Sequence, residues 1–99
     1  MDKIFKALTD VNRRKILTLL KDKGEMTVNQ IVVEFSLTQA TISNHLAILK
    51  KANIVENKVK GQKRIYRINY PVLQTFVSQL SNFVNEVGIE SIQIRKIVK

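Results

Sequence analysis

Two stretches of helical apolar periodicity, TVNQIVVEF and QATISNHLAILKKA, stand in residues 27–52 with only Ser36, Leu37 and Thr38 between them. A connection this short makes the two helices meet in a tight turn, so the chain is committed to a helix-turn-helix before any other element is placed. Thr27 is a good N-cap for the first of the pair, and Gln30 follows three residues later as in a capping box. Its apolar face is Val28, Ile31, Val32 and Phe35, which predicts a helix of about three turns. Thr38 caps the second helix. Thr41 stands where an acid would close that box, which is therefore incomplete. This helix runs to Ala52, and Asn53 follows where a left-handed residue is wanted, asparagine being the usual substitute for glycine.

The second helix holds polar residues where a buried helix would not have them. With Ile42 taken as the core direction, Leu46, Leu49 and Asn53 fall within about 40° of it at 100° per residue. Ala40, Asn44, Ala47 and Lys51 lie opposite, flanked by Thr41, Ser43 and Ile48. A small, polar outer face at the start of a second helix is what major-groove docking uses, since its N-terminal residues contact base edges. The candidate DNA-binding residues of this helix are Thr38, Gln39, Ala40, Thr41, Ser43, Asn44 and His45. His45 lies about 60° from the core direction, at the edge of packing, where a hydrogen-bonded core role competes with reach to a phosphate. No second histidine exists to form a metal pair.

Around this pair the chain organises itself readily. Ile4, Phe5 and Leu8 predict a short first helix, after which Asp10 caps a second over Val11 to Lys21, with Gly24 as its stop. Past Asn53 the period changes, and NIVENKVKGQKRIYRIN reads as a β-hairpin turning at its glycine. Lys58 to Arg67 includes five basic residues and no acid. The alternatives for that run are a surface for a polyanion and a hairpin kept soluble by lysine. Pro71 opens a last helix in which Leu73, Phe76, Leu80, Phe83 and Val87 step by three and four. With Val72, Val77 and Val84 beside them, the stripe is wider than one contact needs, so a second chain is the expected cover and burial on two sides within one chain the alternative. The tail from residue 88 to 99 is left open: a further turn, an arm, or disorder.

Composition sets the outer bounds. Ninety-nine residues make one domain, placed at 1–87. There is no cysteine, which removes disulfides, thiolate ligands and thiol nucleophiles. No apolar run approaches a membrane span and no signal segment opens the chain, so no membrane insertion and a cytoplasmic location are expected. Seventeen Lys and Arg against eight Asp and Glu give a formal charge of +9, a field directed at polyanions. Without a nucleophile paired to a base, a pair of catalytic carboxylates or a glycine-rich phosphate loop, no enzyme and no cofactor are expected.

The order of elements, with ALTDVNRRKILTLL, TISNHLAILKKANIV and KGQKRIYRIN, resembles the ArsR/SmtB family of bacterial winged helix-turn-helix repressors over residues 3–87. The fold class is accordingly mainly α with a β-hairpin wing: four helices, two strands and a final helix. The resemblance implies a homodimer built from the first and last helices, for which Ile4, Phe5, Leu8, Leu73, Phe76, Leu80, Phe83 and Val87 are the candidate interface. It implies two recognition helices in successive major grooves of double-stranded DNA, with Gln39, Ala40, Ser43 and Asn44 as groove contacts. Lys60, Gln62, Lys63 and Arg64 would then lie on the wing. There are departures. Val11 and Asn12 replace a frequent proline, and Asn53 a frequent glycine. VNQIVVEF has no cysteine, and Pro71 to Val87 has no histidine and only Glu86 as an acid, so the metal sites of metal-sensing members are missing. That points to a regulator nearer the small autorepressors of toxin and immunity operons, relieved by a sequestering protein partner.

The function expected is a sequence-specific, dimeric transcriptional repressor on a palindromic operator. Two other classes share the sequence features: an architectural protein that coats DNA without reading bases, and a winged-helix module that binds protein.

Overall fold

The computed structural model describes residues 1–88. Its elements in chain order are α1 (Asp2–Leu8), α2 (Val11–Lys23), β1 (Met26–Thr27), α3 (Val28–Val33), α4 (Gln39–Lys51), β2 (Val55–Lys60), β3 (Lys63–Ile68) and α5 (Tyr70–Glu86). The three strands form one antiparallel sheet in the order β1-β3-β2. The expectations for residues 89–99 lie outside the described residues.

Local chemistry sets most of the boundaries. The Asp10 carboxylate accepts from the backbone N–H groups of Asn12 at 2.8 Å and Arg13 at 3.2 Å, supplying acceptors that the start of α2 lacks. At the other end Gly24 takes φ 85°, and its N–H reaches the Leu20 carbonyl at 2.8 Å. The capping box of α3 is complete: Thr27 Oγ1 accepts from Gln30 N at 3.2 Å, and Gln30 Oε1 accepts from Thr27 N at 2.9 Å.

α3 is shorter than its periodicity predicts, six residues in place of three turns. The N–H groups of Glu34 and Phe35 bond only three residues back, to Ile31 at 3.0 Å and Val32 at 3.1 Å. This tightening ends the helix and lets Phe35 and Leu37 pack on the core from the connection itself. β1 is also absent from the sequence expectation. Its two residues pair Met26 with Tyr66 and Thr27 with Ile65, across about forty residues of chain, and two residues carry no alternation to read.

α4 ends in a Schellman motif. Asn53 stands at φ 61°, its N–H bonds to the Lys50 carbonyl at 2.9 Å, and the N–H of Ile54 reaches back to Leu49 at 3.0 Å. Ile54 and Leu49 are both fully buried, so the motif carries its usual apolar contact. The chain then enters β2 already aimed along the hairpin. Lys60 faces Lys63 across the two-residue loop of Gly61 and Gln62, where only Gly61 has positive φ, the pattern of a type II′ turn.

A single core lies under α4. It joins Ala7 of α1, Ile16 and Leu20 of α2, Ile31 of α3, Ile42, Leu46 and Leu49 of α4, and Val55 and Ile68 of the hairpin base. α5 leaves the hairpin with Pro71 in its first turn and meets α1 through Phe76, whose ring stands edge-on to Phe5 at 5.1 Å between centroids.

Asn53→Val should destabilise the fold by about 1–2 kcal/mol, the cost of a left-handed backbone for a branched residue. Asn53→Gly should leave it unchanged or more stable. Denaturant titration of both variants checks the pair.

Candidate nucleic-acid interface

The face of α4 that looks away from the core is built by default. Every third or fourth residue is taken by packing, with Ile42, Leu46 and Leu49 completely buried, so the residues between them must face outward. Gln39, Ala40, Thr41, Ser43, Asn44, Ala47, Lys50 and Lys51 are all exposed. Among the described residues the side chains of Gln39, Ser43 and Asn44 make no hydrogen bond, which leaves their donors and acceptors free. Ala40 adds no bulk, so the backbone there can come close to a groove floor. Thr38 and Thr41 differ from these. Thr38 Oγ1 accepts from Thr41 N at 3.2 Å, and the two hydroxyls are 2.9 Å apart, so both are occupied in holding the helix start.

His45 belongs to the inner surface. It is only 7% exposed, and its Nδ1 accepts from Arg13 Nη1 at 3.3 Å. The same guanidinium donates from Nε to the Ala7 carbonyl at 2.7 Å and from Nη2 to the Lys6 carbonyl at 3.2 Å. Arg13 therefore ties the last-turn carbonyls of α1 to α2 and, through His45, to the concealed side of α4. The sequence gives no sign of this joint, since Arg13 reads as one more cation on an exposed helix face.

Nearby, the Asp10 carboxyl is held below its ordinary value of 3.8, chiefly by the backbone N–H of Arg13; desolvation, the next largest effect, opposes this, and the backbone N–H of Asn12 and the positive charge of Arg13 add to the lowering.

The wing is less uniformly available than its composition implies. Glu25, just before β1, accepts ion pairs from Lys60 at 3.1 Å, Lys58 at 3.4 Å and Arg67 at 3.6 Å. Arg67 also meets Glu56 at 2.8 Å, and Arg64 Nη1 donates to Asn57 Oδ1 at 2.8 Å. Among the described residues Lys63 and Arg64 have no carboxylate partner. Of the expected wing contacts, Gln62, Lys63 and Arg64 are thus free of acids, whereas Lys60 is paired. Glu25 lies thirty-three residues before Lys58 and was invisible to a reading along the hairpin alone.

The residues expected to meet a second chain divide as well. Phe76 is buried within the chain; Ile4, Leu8, Leu73 and Leu80 are half-buried; Phe5 is exposed, as are Phe83 at 51% and Val87 at 56%. Among the described residues no group of three His, Cys, Asp or Glu is placed to hold a metal ion, and no helix is long and apolar enough to cross a membrane.

A short helix, a turn, an exposed polar second helix and a basic β-hairpin beside it define a winged helix-turn-helix DNA-binding protein. The pattern of bacterial regulatory proteins of the arsR family matches residues 10–57, across α2, α3, α4 and the start of β2. The chain is 43% identical to the transcriptional repressor SdpR of Bacillus subtilis (strain 168), over 87% of this chain and 94% of that protein. It is 32% identical to an arsenical resistance operon repressor of Staphylococcus aureus, over 83% of this chain and 77% of that protein. Its fold superposes with a TM-score of 0.68 on the homodimeric winged helix-turn-helix DNA-binding domain of Mb0332 from Mycobacterium bovis, a possible ArsR-family transcriptional regulator. That domain is 30% identical, and the match covers 85% of this chain and 79% of the other. The protein belongs to the arsR family of transcriptional regulators, whose members are not enzymes.

Two outcomes follow for the α1–α2–α4 joint. Arg13→Ala should cost on the order of 2 kcal/mol in denaturant unfolding, because it removes charged hydrogen bonds to two α1 carbonyls and leaves His45 Nδ1 unpaired. Because the Asp10 pKa is depressed on folding, its contribution is complete above 3.8 and is lost as the pH falls through the lowered value. Asp10→Asn keeps a capping side chain without that titration, so thermal melts between neutral pH and pH 3 should fall less steeply for the variant.

Proposed function

We propose that this regulator is a homodimeric repressor that reads a palindromic operator with α4 and grips the flanking backbone with its wing. The observation that carries the reading is the free polar face of Gln39, Ala40, Ser43 and Asn44 at the N-terminal end of α4, beside Lys63 and Arg64. Asn44 and Gln39 have the amide geometry for bidentate contact with adenine, and Ser43 accepts or donates to any base edge. His45, held inward by Arg13, is read as a positioning residue within the same helix. Homodimerisation is supported by the homodimeric state of the Mycobacterium bovis neighbour and by the apolar surface of Phe5, Phe83 and Val87. Repression is supported by the relatives named as repressors. Relief by a sequestering protein partner is the finer part of the proposal, resting on a chain with no cysteine and a single histidine.

Selection of random duplex DNA on the purified protein at about 0.15 M salt, where the Debye length is some 8 Å, tests the reading. A palindrome with half-sites about one helical turn apart is the expected product. Recovery of no motif, with binding that disappears as salt rises, would replace the repressor with an architectural DNA-coating protein. On the selected site Asn44→Ala should cost about 1–3 kcal/mol and leave random DNA unaffected. Lys63→Ala should weaken both alike. Equal losses from Asn44→Ala on the two DNAs would remove α4 as the reader.

A further inference from the structure

One carboxylate, Glu25, sits among three of the five hairpin cations, Lys58, Lys60 and Arg67, at 3.1–3.6 Å. All three cations stand on the same face of the sheet, since Glu56, Lys58 and Lys60 alternate along β2 and Arg67 is the cross-strand partner of Glu56. Glu25 keeps only 33% of its side-chain surface, less than any cation it meets. Its acidity is raised chiefly by the hydrogen bond from Lys60, so it is charged wherever DNA is bound. The face resembles a hairpin already holding one phosphate. Lys63, the cross-strand partner of Lys60 on this face, and Arg64 on the opposite face carry their charge without an acid.

We propose that Glu25 is a specificity-determining residue, a built-in competitor for DNA phosphate that keeps the Lys58, Lys60 and Arg67 face of the wing from binding backbone indiscriminately. The proposal rests on the DNA-binding reading given above. A phosphate reaching this face must displace a carboxylate already seated there, so the gain from releasing DNA counterions is offset by ion pairs broken within the protein. The penalty falls in full on DNA held by its backbone alone, which takes up whatever cations the wing presents. A cognate site is held in one register by α4, with its backbone met at Lys63 and Arg64, and depends on this face less. The acid therefore lowers affinity for random DNA more than for the cognate site and widens the ratio between them.

The test compares wild type with Glu25→Gln on a random-sequence duplex long enough for two half-sites, and on the site recovered by selection, across a salt series. Glu25→Gln should bind the random duplex roughly fivefold to tenfold more tightly at 0.1 M salt for each cation released. The slope of log affinity against log salt should steepen by about one per wing, and the gain on the selected site should be smaller. Asp22→Asn, which adds the same unit of charge without freeing a wing cation, should produce neither change. In a double-mutant cycle, Lys60→Gln should weaken random-duplex binding clearly in the Glu25→Gln background and only slightly in wild type, where Glu25 already occupies that ammonium group. An unaltered slope in Glu25→Gln, additive effects in the cycle, or equal gains on both DNAs overturn the proposal. Failure of wild type to bind either duplex at any salt overturns the DNA-binding reading along with it.

Discussion

Ile42, Leu46 and Leu49 lose all contact with water when α4 seats on α1, α2, α3 and the base of the hairpin, and this burial is what the rest of the molecule is arranged around. Full burial of an aliphatic side chain contributes about 1.5–3 kcal/mol, so these three alone compare with the whole stability of a small domain. The helix is thereby fixed in rotation as well as in place. Turning it by one residue, 100° about its axis, would lift leucine into water and push Asn44 or Ser43 toward a core without partners for them. The direction in which Gln39, Ala40, Ser43 and Asn44 point is a consequence of where three apolar residues were put.

The parts of the architecture that were legible in the sequence are those governed by interactions within a few residues. Asp10, Thr27 and Thr38 cap the helices they precede, because an oxygen two or three residues before free N–H groups has little else to bond. Pro71 fixes its own φ through its ring, and Asn53 and Gly61 tolerate the positive φ that their turns require. What was not legible depends on residues far apart. β1 exists only because Tyr66 and Ile65 offer an edge to Met26 and Thr27. The length of α3 is set by where Phe35 and Leu37 can reach the core, which its repeat of valines does not disclose. The same division runs through the site. The outer face of α4 follows from helical period alone, while the inward place of His45 requires knowing that Arg13 lies against it, and the pairing of the wing requires Glu25.

Charge is distributed with corresponding economy. A domain with formal charge +9 is drawn to any polyanion, and attraction of that kind carries no sequence information. Discrimination needs the nonspecific part to be limited without loss of the positioning contacts. Carboxylates at positions 25 and 56 compensate Lys58, Lys60 and Arg67 on one face of the hairpin, while Lys63 on that face and Arg64 on the other remain without an acid at the start of β3. On the function proposed above, a wing compensated along β2 and charged at the start of β3 would approach the backbone in one orientation, which is what a reader on the adjoining helix needs in order to keep its register.

The inner and outer faces of α4 also differ in how freely they accept substitution. Changes at Ile42, Leu46 or Leu49 leave cavities, and for buried leucine or isoleucine truncated to alanine the loss is about 2–5 kcal/mol, enough to unfold a domain of this size. Changes at exposed positions with no hydrogen-bond partner, such as Gln39, Ser43 and Asn44, cost within about 0.5 kcal/mol. On the function proposed above, the preferred DNA sequence could therefore change on this helix without endangering the fold. Arg13 sets the limit of that freedom. It holds carbonyls of α1 and the ring of His45 in one set of hydrogen bonds, so α4 keeps its angle to α1 whatever its outer residues become.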